Sequence, residues 1–256
     1  MNFAAVRLRS WYATPQGMEV ARMVMEALQP WLEDSPCRCT LGIGYTQPYM
    51  ELASACCGDL FGASPAEMGV SPWPVNQDNR IALVRPDALP YPDEHFDRIF
   101  LAHFLEGVHD PPVALREIWR VMKPAGRLLV VTPNRSGLWA RHDTTPFGWG
   151  RPYSRMQLDD LLQGALFVPL RHTHALFAPP FRGQRWLQAA HAWEKTGRRW
   201  FSFMGGVILC EAEKVVYATT SPIRSWHGFQ AQGVPIPLAE KRPLTNQSLK
   251  KMGKAP

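Results

Sequence analysis

The sequence predicts an α/β protein on a doubly wound, mostly parallel sheet with helices on both faces. Three observations carry this. Strand-length apolar runs alternate with helix-period stretches as far as residue 132, the pattern of βαβ units. Gly126-Arg-Leu-Leu-Val-Val-Thr132 is apolar almost throughout, as expected for a strand covered on both faces. Cys39-Thr-Leu-Gly-Ile-Gly-Tyr-Thr-Gln-Pro48 reads as a strand that breaks into a glycine turn and opens a helix. Ligands of open α/β sheets bind at the carboxyl ends of the strands, so this turn would floor a site.

The first element is an amphipathic helix over residues 14–32. Thr14 is placed to cap it, Pro15 suits its first position, and Ala21, Val24, Met25, Leu28 and Leu32 share one face. The first strand covers 38–41, and a helix follows the glycine turn over about 47–57. Gly42 and Gly44 carry no side chain, which would let a ligand approach the backbone, and the helix N–H groups would point back at the turn. A second strand is expected at 59–63, a Pro-rich loop at 64–79, a third strand at Ile81–Val84 and a fourth at Phe96–Ala102. Asp110 then caps a helix with Pro111 and Pro112 in its first turn and Ala114, Leu115, Ile118, Val121 and Met122 as its buried stripe. Lys123 would sit in its last turn and Pro124 would stop it before a fifth strand at 126–132. Further on, a helix at 154–164 capped by Ser154, a strand at 167–177, a Trp-rich helical stretch at 184–200 and a strand at 206–217 bring the strands to seven. Right-handed crossovers place the loops 42–47, 87–88, 103–109 and 134–153 on one edge of the sheet.

Composition bounds the function. With 256 residues, 46% hydrophobic and 20% charged, the chain is an ordinary globular one. A single domain is expected over 1–220, with its core at 35–135 and a substrate-side part at 136–220. The formal charge of +6 is concentrated beyond Pro222, where six basic residues stand against Glu240, so 221–256 reads as a basic, flexible tail. No nucleic-acid motif accompanies it, and a nucleic-acid partner is not expected. No apolar run approaches the roughly 20 residues of a membrane span, and the N-terminus shows no signal-peptide pattern. The five cysteines match no zinc spacing, so the expectation is a cytoplasmic protein with no metal site.

Four blocks carry a family resemblance: Leu41-Gly-Ile-Gly44; Pro86-Asp-Ala-Leu-Pro-Tyr-Pro-Asp-Glu-His-Phe-Asp97; His103-Phe-Leu-Glu-Gly-Val-His-Asp-Pro111; and Leu115-Arg-Glu-Ile-Trp-Arg-Val-Met-Lys-Pro-Ala-Gly-Arg-Leu-Leu129. In order and spacing they resemble the class I S-adenosylmethionine-dependent methyltransferases, of the broad type that includes quinone-biosynthesis methyltransferases. The resemblance covers about residues 38–132. It implies that family's fold, a seven-stranded sheet with an antiparallel C-terminal strand, and S-adenosylmethionine as cofactor. It places Thr40, Gly42, Gly44 and Tyr45 at the turn receiving the methionine part of the cofactor. Asp87 would accept from the adenine amino group, Ala88 would lend its N–H, and His103 would border the sulfonium and methyl. The departures from the pattern are Thr40 where an acid is usual, Thr46 where a third glycine is common, and Ala63-Ser64 where a carboxylate holds the ribose hydroxyls. The nearest acids to that last position are Asp59 and Glu67.

Methyl transfer from a sulfonium is an in-line displacement. It needs alignment, proton removal where the nucleophile carries one, and exclusion of water, but no fixed triad or metal. His103 and His109 are candidate bases, with a structural role as the alternative; Tyr45 could face the sulfonium by cation–π attraction or simply pack. The long loop 134–153 reads either as a substrate lid, with Arg141, His142, Asp143, Trp149 and Arg151 as contacts and His142 a third candidate base, or as a rigid packed loop. Trp186, Trp193 and Trp200 recur at seven-residue spacing, which reads as core packing under a helix or as an aromatic wall. The leading reading is a methyltransferase acting on an unidentified small or medium acceptor, with a protein partner left open. The alternative is a lapsed member that binds a cofactor or partner without transferring methyl. A nicotinamide oxidoreductase is disfavoured, since Gln47 stands where G-x-G-x-x-G needs glycine.

Overall fold

A computed structural model describes residues 4–34, 37–53, 57–74, 78–180, 183, 190, 192–197, 199 and 203–216. All belong to one compact unit, Met1–Ala218. The basic tail, Trp186 and Trp200 lie outside the described residues.

The chain opens with helices α1 (Ala5–Tyr12) and α2 (Pro15–Asp34), then alternates β1 (Cys37–Gly44), α3 (Gln47–Ala53), β2 (Cys57–Pro65), β3 (Ile81–Val84), β4 (Phe96–Ala102), α4 (Pro111–Val121) and β5 (Met122–Pro133). It continues with α5 (Arg155–Gly164), β6 (Phe167–Ala175) and β7 (Val207–Lys214). The strands form one sheet in the order β3-β2-β1-β4-β5-β7-β6. β1 to β5 pair in parallel, and β7 runs antiparallel to both β5 and β6. This is the expected doubly wound sheet with its antiparallel C-terminal strand.

Strand alternation assigns the two faces. Phe100, Leu129, Val131, Val207 and Leu209 pack against α1, α2 and α3. Their neighbours Ile99, Leu101, Leu128, Val130 and Ile208 pack against α4 and α5. The caps are those the sequence signals. Thr14 Oγ1 accepts from the Gly17 N–H at 3.1 Å, Asp110 from Val113, and Ser154 with Gln157 closes a capping box.

Several boundaries differ from expectation. α1 has no counterpart in the sequence reading. At two turns it is too short to show a clear period, yet Ala5, Leu8 and Tyr12 are buried. α4 ends at Val121, and Lys123 and Pro124 belong to β5. Pro124 has no N–H to give and Ala125 sits at φ 56, so the ladder jumps from Phe96↔Met122 to Arg98↔Arg127. Lys123 pairs with Asp97 at 2.8 Å instead of closing a helix. Trp193 is half exposed, so the core reading fails for it.

Candidate functional site

The carboxyl ends of β2, β3 and β4 border a cavity of about 360 Å³. Its walls come from residues 65–68 after β2, 84–87 at the end of β3, and the block after β4 with His103, His109 and the start of α4. This is the edge the topology reserves for ligands.

His103 is the innermost polar residue of that wall. It is buried and holds φ 51, a left-handed conformation rare outside glycine. Its Nε2 lies 2.7 Å from the Tyr12 hydroxyl, which is 2.6 Å from the Tyr49 hydroxyl. Its Nδ1 lies 3.4 Å from the buried Glu106 carboxylate. Burial raises both phenols above their ordinary range, so Tyr12 and Tyr49 stay protonated at neutral pH. α1 therefore reaches over the sheet edge and seals the far side of His103 with a line of phenols. The phenol pair was not foreseen, because nothing in the sequence marks Tyr12 and Tyr49 as neighbours.

Three acids line the cavity, and two are committed. Asp87 is forked by Arg85 at 3.0 and 2.7 Å, and that hydrogen bonding holds its carboxyl below the usual carboxylate range. Asp110 caps α4. Glu67 is exposed on the rim and makes no hydrogen bond or ion pair among the described residues. Ser64, at the end of β2 where the family carboxylate would stand, gives its hydroxyl to the Gly69 carbonyl at 2.6 Å. Ala88 differs from expectation: its N–H donates to the Arg85 carbonyl at 3.1 Å and closes the turn that presents Asp87.

The glycine turn is tighter than the sequence suggests, because β1 runs through Gly44. A Cβ on Gly42 would collide with the Thr46 hydroxyl and the Met50 sulfur. One on Gly44, at φ 93, would collide with the Ala102 carbonyl. Both glycines are thus demanded by the protein's own packing, and the open space lies beside the ends of β2 to β4 instead. Tyr45 is buried and stacks on Tyr12 at 5.7 Å between ring centres. Its edge borders a second cavity of about 390 Å³ shared with Arg9, Gln47 and Trp73. Thr40 is buried on β1 with its hydroxyl 3.0 Å from Cys37 Sγ.

The loop 134–153 is built as packing. Trp139, Phe147 and Trp149 are buried, and the two indole N–H groups donate to the carbonyls of Ala178 and Asp143 at 2.8 and 2.7 Å. Arg141, His142 and Asp143 are exposed, and His142 lines neither of these cavities. Arg151 is also exposed and is tied in by its N–H to the Glu106 carbonyl at 2.9 Å. Of the predicted residues, Asp87, His103 and His109 come together around one cavity, while Tyr45 faces the other.

The fold has parallels among known proteins. Residues 40–130 match the methyltransferase domain family. A ubiquinone/menaquinone biosynthesis C-methyltransferase of Shewanella frigidimarina is 53% identical over 55 residues, 21% of this chain and 22% of that protein. An uncharacterized protein of Mycobacterium bovis is 25% identical over 71% of this chain and 65% of its own length. The chain thus spans 22% of the first of these relatives. Among solved structures, a methyltransferase of Thermotoga maritima superposes with a TM-score of 0.57 at 19% identity, over 82% of this chain and 96% of that one. One from Archaeoglobus fulgidus gives 0.55 at 15% identity, over 82% and 98%. No helix among the described residues is long and apolar enough to cross a membrane. Residues 40–130 thus match the methyltransferase domain family, and the sheet that carries them has the fold of the S-adenosylmethionine-dependent methyltransferases of known structure.

Proposed function

We propose that the chain transfers a methyl group from S-adenosylmethionine to a small acceptor, and that the adenosine half of the cofactor occupies the cavity beside β2, β3 and β4. The observation that carries this is the placement of Asp87 and of Glu67, which has no partner among the described residues, on the walls of one cavity that ends at His103. Adenosine presents an amino group and two ribose hydroxyls as donors, and the cavity presents two carboxylates as acceptors. The residues fit that half of the cofactor.

When bound, the cofactor supplies a methyl on a positively charged sulfur, ready for in-line displacement. The protein does the rest. Asp87 accepts from the adenine amino group, and the Arg85 fork keeps it ionised and aimed. Glu67 takes the ribose hydroxyls, replacing the carboxylate missing at Ser64. His103, held by the Tyr12 hydroxyl, forms the wall nearest the reacting end, and His109 on the outer wall is the more accessible base. Tyr12, Tyr49 and Phe147 keep water from the far side of His103. The acceptor is a small molecule, and the setting is cytoplasmic. The lapsed alternative draws no support from the comparisons.

Titration calorimetry with S-adenosylmethionine and its demethylated product tests binding. Tight binding of both, weakened in Asp87→Ala, is the expected result; no binding of either rejects the proposal. A radiolabelled methyl-transfer assay against candidate acceptors then separates transfer from binding alone.

A further inference from the structure

A second cluster lies three strands away from this cavity, under α5. Asp159 on α5, His172 on β6 and Cys210 on β7 bring one ligand atom each to within 4.8 Å of one another. His172 and Cys210 are direct partners in the β6–β7 ladder, and α5 lays Asp159 over them. His172 Nε2 lies 2.7 Å from Asp159 Oδ1. Cys210 is fully buried, while His172 also lines an open cavity of about 410 Å³. That cavity takes in His174 too, on the same face of β6, so the cluster has a route to solvent past two imidazoles.

We propose that Asp159, His172 and Cys210 form a binding site for a divalent transition ion of the zinc type, with one coordination position open toward this cavity. The inference is independent of the methyltransferase reading. One oxygen, one nitrogen and one sulfur donor suit a borderline-soft ion, and three protein ligands with an open fourth position is the pattern of a reactive or exchangeable zinc site rather than a closed structural one. Tetrahedral bonds of the usual lengths put ligand atoms about 3.3–3.5 Å apart. Asp159 and His172 must turn apart by roughly half an ångström, exchanging their mutual hydrogen bond for the ion, and Cys210 Sγ, within 4.8 Å of both, must close in on them by up to about an ångström.

The protonation states agree. Burial lowers His172, so its ring is neutral and can ligate at pH 7. Burial pushes the Cys210 thiol up to about 12, so the ion must displace its proton to solvent as the metal–sulfur bond forms. Among the described residues, Arg155, 3.8 Å from Asp159, is the competing cation that faces the cluster, beside the carboxylate of Glu211. The Arg155 side chain is mostly exposed and free to swing away.

Cobalt(II) titration of the full, metal-stripped chain reads the site directly, because thiolate-to-cobalt charge transfer absorbs in the near ultraviolet. The expected result is one equivalent bound with a thiolate band, displaced by zinc. Asp159→Asn keeps the hydrogen bond to His172 and should weaken binding by about 10- to 100-fold. Cys210→Ser should abolish the band. Circular dichroism shows whether each variant is folded, and Asp159→Asn decides the matter if Cys210→Ser does not fold. Absence of a band in the parent chain, a band that survives in folded Cys210→Ser, or unchanged affinity in Asp159→Asn overturns the proposal.

Discussion

Replacing Glu67 with alanine removes the acid of the cavity that has no partner among the described residues. Its side chain supports none of them, so the fold should be unaffected. A hydrogen bond to a charged group contributes about 1.5–3 kcal/mol. Glu67 stands exposed at the rim, where solvent competes, so the lower end applies: about 1.5 kcal/mol, or roughly a tenfold loss of affinity. Ser64 cannot compensate, because it is buried and does not line the cavity. Titration calorimetry with the demethylated product, which avoids turnover, measures the effect. The 2′-deoxy form of that product supplies the cross-check. It should bind the parent chain more weakly than the full nucleoside, and Glu67→Ala should cost it less than it costs the full nucleoside, since both changes remove the bond to the 2′-hydroxyl. Equal affinity of parent and Glu67→Ala for the full nucleoside would refute the assignment of Glu67 to the ribose.

Three further outcomes follow from the geometry. Gly44→Ala forces a side chain into the Ala102 carbonyl at φ 93 and should cost about 2 kcal/mol or more, lowering the melting temperature by roughly 4–8 °C in calorimetry. Trp139→Ala, which empties a fully buried site, should destabilise by about 3–5 kcal/mol in urea unfolding, while Arg141→Ala in the same loop should change stability by less than about 0.5 kcal/mol. A large Arg141 effect would contradict the packed-loop account. Stability should also fall with acid in two steps. Burial holds His172 and His174 below their ordinary 6.5, against the pull of Asp159 on His172 and aided by Arg155. The unfolded chain therefore binds protons that the fold refuses, and this stability is complete above about pH 6.5 and lost as pH falls below it. Arg120 holds the Glu117 carboxyl below its ordinary 4.5, a contribution present above that value and lost as pH falls further. Melting temperatures across this range should lose the upper step in the His172→Gln, His174→Gln double variant and keep the lower one.

Periodicity was enough to locate the strands at 81–84 and 96–102 and the helices with Asp110 and Ser154 caps. These are local facts: burial face, cap and turn chemistry are written within a dozen residues of one another. The same local rules brought Asp87, His103 and His109 to one edge, because parallel strands with right-handed crossovers leave their carboxyl ends nowhere else to go. What local rules could not supply was contact between distant segments. Tyr12 meets His103 across 91 residues of chain, and Gly42 is bare because Thr46 and Met50 fill the space above it. Asp159, His172 and Cys210 come from three elements whose spacing matches no metal motif, and only the antiparallel placement of β7 beside β6 draws them together. The sequence alone determined the strands of the sheet and, apart from α1, the helices of the layers on either side. The side-chain chemistry at the sheet edges was decided by long-range packing, where a neighbour's volume and charge matter and its distance along the chain does not.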